Sequence, residues 1–535
     1  MLNSSADILP AQLRKPLSQS SESSTDMPRV EPMHAPARLP REGLSPLDAA
    51  LENLIGDVVI MGGYRGSILR SSQPPFRRLW VPVKVGLNIR KVDLELGLDP
   101  EADETAEDHI FASGMLQNMG PVDISKRLFR KLRECENARK GKLRVHDYGY
   151  DWRLSPHVLS RKLVQFLETL PSNHPSTPSE RRGALVISHS LGGVITRHAV
   201  NQRPELFAGV IYAGAPQRCI NILGPVRNGD AVMLNEKILT AQVNFSLRTT
   251  FVFLPEDGYC FINKHTKEEY RVDFYNVDNW IKYRLSPCVG EPALPLPKSG
   301  SLSSLLNLPD LGLRSRSNST TRNANGSEQS FLSSMEGVRR VTNDFVAFKD
   351  RTLAPQMSTP NTLQQHQHQQ PQHASLNGRL LPGQERNLEY LTRTLADTKR
   401  FRAELAHNPA HQAANVYPPL AVIYGRDIPT TAGAKVASHE AIPTSEAYDE
   451  LFFGNGDGVV LAKEAMLPPG YELVKGGRIS TDRGHITLLG DLQSVGRAID
   501  AVIRGRRKGI GLGVSAGGEN MMNNVYNGSR SSVAL

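Results

Sequence analysis

The sequence predicts an α/β protein with a mostly parallel sheet that is covered by helices on both faces. Short apolar runs typical of buried strands recur at residues 57–61, 184–187, 209–213 and 419–424. Segments with helix-like spacing of apolar residues lie between these runs, and several runs end in glycine-containing turns. Continuously apolar strands are typical of parallel sheets, and their alternation with helices is typical of α/β folds.

The run at 184–187 ends in a turn that carries a serine at its centre. The turn reads Ser188-His189-Ser190-Leu191-Gly192-Gly193, and a helix-like segment follows it. In α/β-hydrolases this turn has the pattern G-x-S-x-G, and its small residues let strand and helix approach each other. We interpret Ser190 as a nucleophile and the backbone N–H of Leu191, at a helix N-terminus, as a donor to an oxyanion. The alternative is an ordinary β-α turn that contains serines.

A second glycine-rich turn follows the first apolar run. It reads Gly62-Gly63-Tyr64-Arg65-Gly66. In lipases and esterases a loop early in the chain supplies the second oxyanion N–H, and its glycines let the backbone come close to the substrate carbonyl. Tyr64 is therefore the candidate for this second donor. A phosphate-cradling loop is the alternative, but the turn lacks the Lys-Ser/Thr ending of a P-loop.

Candidates for the acid and the base lie near the C-terminus. Asp427 comes soon after the run at 419–424, whereas Asp457 lies in a glycine-flanked turn from which a carboxylate can reach a histidine. His485 is the candidate base, since the chain order Ser, Asp, His is that of the α/β-hydrolase triad. A histidine at a loop–helix junction is also often a simple cap. We expect His189 to point away from the nucleophile.

Four motifs in a shared order carry a resemblance to a known family. They are Asp151-Trp152-Arg153, the turn around Ser190, Gly456-Asp457-Gly458-Val459-Val460 and finally His485. Together they resemble the lecithin:cholesterol acyltransferase and phospholipid:diacylglycerol acyltransferase group of α/β-hydrolases, over scattered motifs in 55–290 and 415–505. The resemblance implies an α/β-hydrolase fold and selects Asp457 as the acid. It also implies a lid after the oxyanion loop, with Trp80 as a substrate-binding residue over the acyl pocket, although no cysteine pair brackets Trp80 as in secreted members.

These residues predict a serine acyl hydrolase or O-acyltransferase that acts on lipid esters through an acyl-enzyme intermediate. The expected activity is similar to that of a lipase or phospholipase, and it requires neither a metal ion nor an organic cofactor. The same residues leave two other functions open. One is a catalytically silent α/β-hydrolase scaffold, and the other is an esterase for small soluble esters.

The composition indicates one folded domain with long additions. The 535 residues include 44 glycines and 36 prolines, which is typical of a chain with long tracts outside the core. Residues 219–288, with several aromatic side chains, suit either a cap over a lipid or a peripheral subdomain. We expect a disordered tail at 1–45, the first part of the hydrolase domain with its cap at 46–290, a disordered low-complexity insertion at 291–383, the second part with the acid and the histidine at 384–505, and a flexible tail at 506–535.

Charge and hydropathy suggest where the protein acts. The net charge is +9, but the basic residues are scattered, so we expect no nucleic-acid partner. No apolar run approaches the ~20 residues that span a bilayer, and the N-terminus lacks a signal-like apolar core. The expectation is an intracellular, cytoplasmic protein that contacts a membrane at most peripherally. The four cysteines are far apart in sequence, so neither a disulfide framework nor a zinc site is indicated.

Overall fold

The structure is a computed structural model that describes residues 43–81, 84–85, 88–89, 93–232, 235–291 and 383–513. Most of the segments expected to be disordered, at 1–45, 291–383 and 506–535, lie outside these described residues. The chain before residue 291 and the chain after residue 383 both contribute strands to the same central sheet.

The central sheet has six strands, and all of its neighbouring strands are parallel. Its strands are β1 (Gly56–Met61), β9 (Leu143–Tyr148), β10 (Ala184–His189), β11 (Phe207–Ala213), β16 (Leu420–Gly425) and β19 (Arg478–Thr481). Their order across the sheet is β19-β16-β11-β10-β1-β9. The predicted α/β class with a largely parallel sheet is therefore confirmed.

Sequence explains why these strands are central. All six residues of β10 are buried, as are five of the six residues of β1. Since successive side chains of a strand point to opposite faces, β10 must be covered on both faces. Full burial of one Val, Leu or Ile side chain contributes about 1.5–3 kcal/mol, so these runs stabilise the middle of the sheet.

Helices surround this sheet, and several have clear sequence signals at their ends. The helix over Pro156–Glu168 begins with proline, and its N-cap Ser155 accepts a hydrogen bond from the Val158 amide. The α-helices are α1 (Pro46–Leu51), α2 (Ala102–His109), α3 (Lys126–Glu134), α4 (Glu136–Arg139), α5 (Pro156–Glu168), α6 (Leu191–Gln202), α7 (Leu223–Asn228), α8 (Ala241–Ser246), α9 (Val277–Lys282), α10 (Gln384–Glu404), α11 (Pro409–Ala413) and α12 (Leu492–Arg507). Short 3-10 helices cover Pro171–Asn173, Ser179–Arg181, Pro204–Leu206, Arg248–Phe253, His439–Ala441 and His485–Gly490.

Smaller sheets lie around the central one. A four-stranded sheet has the order β15-β14-β17-β18, and a three-stranded antiparallel sheet has the order β3-β2-β6. The remaining pairs are β4 with β5, β7 with β8, and β12 with β13. The bounds are β2 (Ser67–Ser71), β3 (Arg78–Trp80), β4 (Lys84–Val85), β5 (Asn88–Ile89), β6 (Ile110–Met115), β7 (Asn118–Met119), β8 (Val122–Asp123), β12 (Asp230–Val232), β13 (Asn235–Leu239), β14 (Phe261–Asn263), β15 (Glu269–Tyr270), β17 (Ile428–Val436) and β18 (Glu450–Gly456).

The folded chain extends beyond the predicted boundary at 505. Helix α12 ends at Arg507, and the Gly513 amide donates a hydrogen bond of 3.0 Å to the carbonyl of Asn415. The Arg506 guanidinium is largely buried and donates to the carbonyls of Gly511 and Arg182, at 2.7 and 2.9 Å. Residues 506–513 therefore belong to the folded part, because their backbone is paired with it.

None of the described helices is both long enough and apolar enough to cross a bilayer.

Candidate active site

The predicted serine turn is present, and its backbone is strained. Strand β10 ends at His189, helix α6 begins at Leu191, and Ser190 between them has φ 54° and ψ −126°. A positive φ is costly for a residue with a side chain, and such residues cluster at functional sites. The Ser190 amide donates to the Ala213 carbonyl at 2.9 Å, which fixes the turn against β11. Ser188, in place of the first glycine of the pattern, is fully buried here.

Ser190, His485 and Asp457 form one chain of hydrogen bonds. His485 Nε2 lies 2.9 Å from Ser190 Oγ, and His485 Nδ1 lies 2.8 Å from Asp457 Oδ2. All three side chains are almost completely buried. A carboxylate accepts the proton on Nδ1, so Nε2 is left free to accept the serine hydroxyl proton. The structure thus brings together the three residues, at positions 190, 457 and 485, that the sequence predicts as nucleophile, acid and base.

A β-hairpin brings Asp457 to the site. Strand β16 ends at Gly425, and the antiparallel pair β17–β18 leaves this end and returns to it, where Ile428 and Asp457 form a bridge. Asp457 Oδ1 accepts the amides of Val459 and Val460 at 3.0 and 2.7 Å. These two bonds leave Oδ2 to His485 and hold the carboxylate in one orientation.

Asp427, the competing candidate, is not part of this chain of hydrogen bonds. Its side chain is 59% exposed and lies 3.7 Å from the guanidinium Nε of Arg426. Of the two candidate aspartates, Asp457, which the resemblance selects, is therefore the one that contacts His485.

The backbone around His485 is held on two sides. The His485 amide donates to the Asp457 carbonyl at 2.8 Å, and His189 Nε2 donates to the His485 carbonyl at the same distance. The ring of His189, which we expected to point away from the nucleophile, lies beside that of His485 at a centroid distance of 4.7 Å and lines the same cleft as Ser190. Burial lowers the pKa of His189 to about 3, so the ring is neutral and adds no charge beside His485.

The first residue after β11 must lack a side chain. Gly214 has φ +57°, and a Cβ on it would lie 3.0 Å from Asp457 Oδ2 and 3.2 Å from His485 Nδ1. Only glycine therefore fits both the backbone conformation and the space behind the Asp457–His485 contact. Sequence analysis missed this role, although Gly214 follows a buried strand directly.

The loop after β1 lies directly over the serine. A Cβ on Gly63 would lie 2.4 Å from Ser190 Cβ and 2.9 Å from Ser190 Oγ. Tyr64 lines the same cleft as Ser190, and Leu191 is the first residue of α6, where amides lack acceptors within the helix. The two predicted oxyanion donors are thus on the two segments that meet at Ser190.

A buried arginine anchors this loop. Arg65 has φ 61° and no exposed surface, and its Nη2 donates to Asp230 Oδ2 and Asn244 Oδ1, each at 2.9 Å. Its guanidinium carbon also lies 4.7 Å from the centroid of the Tyr64 ring. A buried charge is stable only when paired, so the Arg65–Asp230 pair holds the loop to the segment that contains β12.

Trp80 supports the loop from behind. Its side chain is completely buried, its Nε1 donates to the Arg65 carbonyl at 2.7 Å, and its ring packs edge-on against Trp152. Trp80 is not among the residues that line the cleft at Ser190. The structure therefore does not place it at the substrate surface, where the resemblance had put it.

The Asp151-Trp152-Arg153 motif joins the same scaffold. Arg153 Nη2 lies 2.6 Å from Asp151 Oδ2, and its Nε lies 2.9 Å from Asp151 Oδ1, which is a buried bidentate pair. The carbonyl of Arg153 accepts the Arg248 amide at 2.9 Å, and Arg248 opens the 3-10 helix that ends at Phe253. This motif therefore connects the end of β9 to a wall of the cleft.

Ser190 lines a small and mostly apolar cleft. Met115 at the end of β6, and Leu116 and Ile124 between β6 and α3, line this cleft. Ile220 and Phe253 come from residues 219–288, the expected cap. Of the two interpretations of residues 219–288, the structure favours a segment that walls the site. A second cleft shares Ile220 and Val459 with the first. The full lining of the first cleft is Gly63, Tyr64, Gly66, Met115, Leu116, Ile124, His189, Ser190, Ile220, Phe253, Val459, His485 and Ile486.

Backbone strain at Ser190 makes a testable prediction about stability. Glycine adopts φ 54° without steric cost, whereas alanine keeps a strain of about 1–3 kcal/mol. A glycine also lowers the free energy of unfolding by about 0.5–1 kcal/mol, because it has more conformational freedom in the unfolded chain. We therefore expect Ser190→Gly to be more stable than Ser190→Ala by about 1 kcal/mol in chemical unfolding. Equal stability, or a more stable alanine variant, would show that the turn is not strained.

No family model matches the chain. The chain is similar to the uncharacterized protein YJR098C of Saccharomyces cerevisiae, with 36% identity over 468 residues. The match covers 87% of this chain and 64% of the yeast protein, so the chain spans less than two thirds of that relative's length.

Proposed function

We propose that the chain is a serine acyl hydrolase or O-acyltransferase with an α/β-hydrolase fold, and that it acts on lipid esters. The observation that carries the proposal is the buried Ser190–His485–Asp457 chain of hydrogen bonds at the base of an apolar cleft. The strained turn between a central parallel strand and a helix supports the fold assignment, because α/β-hydrolases hold their nucleophile in such a turn. The order of motifs that resembles the acyltransferase group supports the substrate class.

The first half of the proposed reaction forms an acyl-enzyme. Ser190 Oγ attacks the ester carbonyl carbon as its proton passes to His485 Nε2, and Asp457 stabilises the resulting imidazolium. The carbonyl oxygen becomes an oxyanion, which the amides of Tyr64 and Leu191 stabilise. Loss of one such donor typically costs about 2.7–4 kcal/mol. His485 then gives its proton to the departing alcohol oxygen as the carbon–oxygen bond breaks.

The second half regenerates the serine. Water or a lipid alcohol loses a proton to His485 Nε2 and attacks the acyl carbon. A second oxyanion forms between the same amides. It collapses as the bond to Ser190 Oγ breaks, and the proton returns to that oxygen. Water gives a free acid and an alcohol gives a new ester, so the acceptor decides between hydrolysis and acyl transfer.

The cleft favours an apolar acyl group. Seven of its lining residues carry aliphatic, thioether or phenyl side chains: Met115, Leu116, Ile124, Ile220, Phe253, Val459 and Ile486. An acyl chain gains about 0.8 kcal/mol for each methylene that it buries there, whereas a small polar ester gains little. A lipid ester therefore suits the site better than a small soluble ester does. Since such lipids reside in membranes, we expect the protein to act at a membrane surface from within the cell.

A silent scaffold is the weaker alternative. Burial of a serine, a histidine and an aspartate costs free energy, and a strained backbone at the serine adds to this cost. A scaffold gains nothing from these features, whereas an acyl transfer enzyme needs all of them.

The two aspartates separate catalysis from local structure. Asp457→Asn should lower kcat by as much as about 10⁴, because an amide favours the wrong imidazole tautomer and cannot stabilise the imidazolium. Asp427→Asn is the matched control, and we expect little change, since its carboxylate is 59% exposed and lies 3.7 Å from Arg426 Nε. The measurement is kcat on a p-nitrophenyl ester, beside an unfolding curve for each variant. A large loss in Asp427→Asn, with Asp457→Asn still active, would contradict the assignment.

Chain-length preference tests the substrate class. Ile220 lines both clefts, so the larger side chain of Ile220→Trp should fill the space between them. We expect the loss in kcat/KM to be at least about tenfold greater for long-chain p-nitrophenyl esters than for p-nitrophenyl acetate. Ile281→Trp is the control, because Ile281 is exposed and is not among the lining residues. An unmodified protein that prefers acetate to long-chain esters would favour the small-ester alternative.

A further inference from the structure

A cluster of two histidines and a glutamate lies outside the Ser190 site. His157 is in the first turn of α5, His198 is in the second half of α6, and Glu404 is the last residue of α10. His157 Nε2 and His198 Nε2 both lie close to one oxygen, Glu404 Oε2, at 2.9 and 2.7 Å. All three ligand atoms lie within 4.8 Å of one another. Three helices that are distant in sequence thus direct nitrogen and oxygen atoms to one point.

The surrounding residues fix the orientation of the two rings. Ser160 Oγ lies 2.8 Å from His198 Nδ1 and is itself buried, so Nε2 is turned toward Glu404. The Phe401 ring stacks on His198 with a centroid distance of 4.5 Å and meets His157 edge-on at 5.1 Å. Histidines that bind metals usually have their second nitrogen held in this way, because the contact sets both tautomer and orientation.

The ligand set suits Zn²⁺ in particular. Zinc binds imidazole nitrogen and carboxylate oxygen in tetrahedral geometry, and two histidines with one glutamate leave a fourth position for water. Bonds of ~2.0–2.1 Å place tetrahedral ligand atoms ~3.3 Å apart, so the two N–O contacts of 2.9 and 2.7 Å have to lengthen by about half an ångström. The two Nε2 atoms, which lie within 4.8 Å of each other, have to take up the same separation. The side chains of His157 and Glu404 are 27% and 36% exposed, so that both a water molecule and the ion can reach the cluster.

We propose that His157, His198 and Glu404 bind one Zn²⁺ ion that ties α10 to α5 and α6. Helix α10 is the first described element after residues 292–382, and it returns the chain to the central domain. An ion at its end fixes this return against α6, the helix that begins next to Ser190. Holding these helices together does not depend on the proposed acyl transfer.

Zinc binding by matched variants tests the proposal. The full chain, purified without a polyhistidine tag and stripped with a chelator, is titrated with ZnCl₂ against a chromophoric chelator. We expect one tight site per chain that weakens at least about 100-fold in His157→Ala and in Glu404→Gln. Ser160→Ala should weaken it about 10–100-fold, as loss of an outer contact to a ligand does. His265→Ala, at an exposed histidine outside the cluster, should bind as the unchanged protein does.

Two measurements on folded protein complete the test. Zn²⁺ should raise the Tm of the unchanged protein and of His265→Ala, but not that of Glu404→Gln. Co²⁺ added to the unchanged protein should give the intense visible absorption of a tetrahedral site, which needs no variant. Equal zinc affinity in Glu404→Gln and the unchanged protein, or no tetrahedral Co²⁺ spectrum, overturns the proposal. Neither readout involves ester turnover, so failure here is distinct from failure of the proposed function.

Discussion

The imidazole of His485 is the contact on which the rest of the site depends. It joins Ser190, in the turn after β10, to Asp457, which a hairpin returns to the end of β16. Each of its two hydrogen bonds is shorter than 3.0 Å, so moving either segment by about 1 Å would break the chain of hydrogen bonds. The parallel sheet meets this demand, because the carboxyl ends of its strands lie along a single edge.

Close packing around the site explains features that at first look unrelated. A side chain would not fit at Gly63, which lies against Ser190, or at Gly214, which lies against His485. Arg65 and Trp80 are buried behind the loop over the serine, where they hold its backbone. The same segments therefore form both the apolar cleft and the buried polar groups behind it.

The central strands and the three aligned side chains could be predicted from sequence because their signals are local. Apolar runs, a serine in a small-residue turn and a glycine-flanked aspartate can each be recognised without knowledge of the fold. The position of Trp80, the contact between His189 and His485, and the ion pair between Arg65 and Asp230 could not, since each depends on segments that meet only after folding. The His157–His198–Glu404 cluster was hidden for the same reason, because its members are 41 and 206 residues apart in sequence.

Covalent labelling of the folded protein by a fluorophosphonate, with the modified residue located by mass spectrometry, tests the central claim most directly. A serine reacts with this reagent at a useful rate only when a neighbouring base takes its proton. The geometry predicts a single modified peptide that carries Ser190 and no modification in Ser190→Ala. A folded protein that does not label, or one whose labelling persists at another residue in Ser190→Ala, would contradict the assignment of Ser190 as an activated nucleophile.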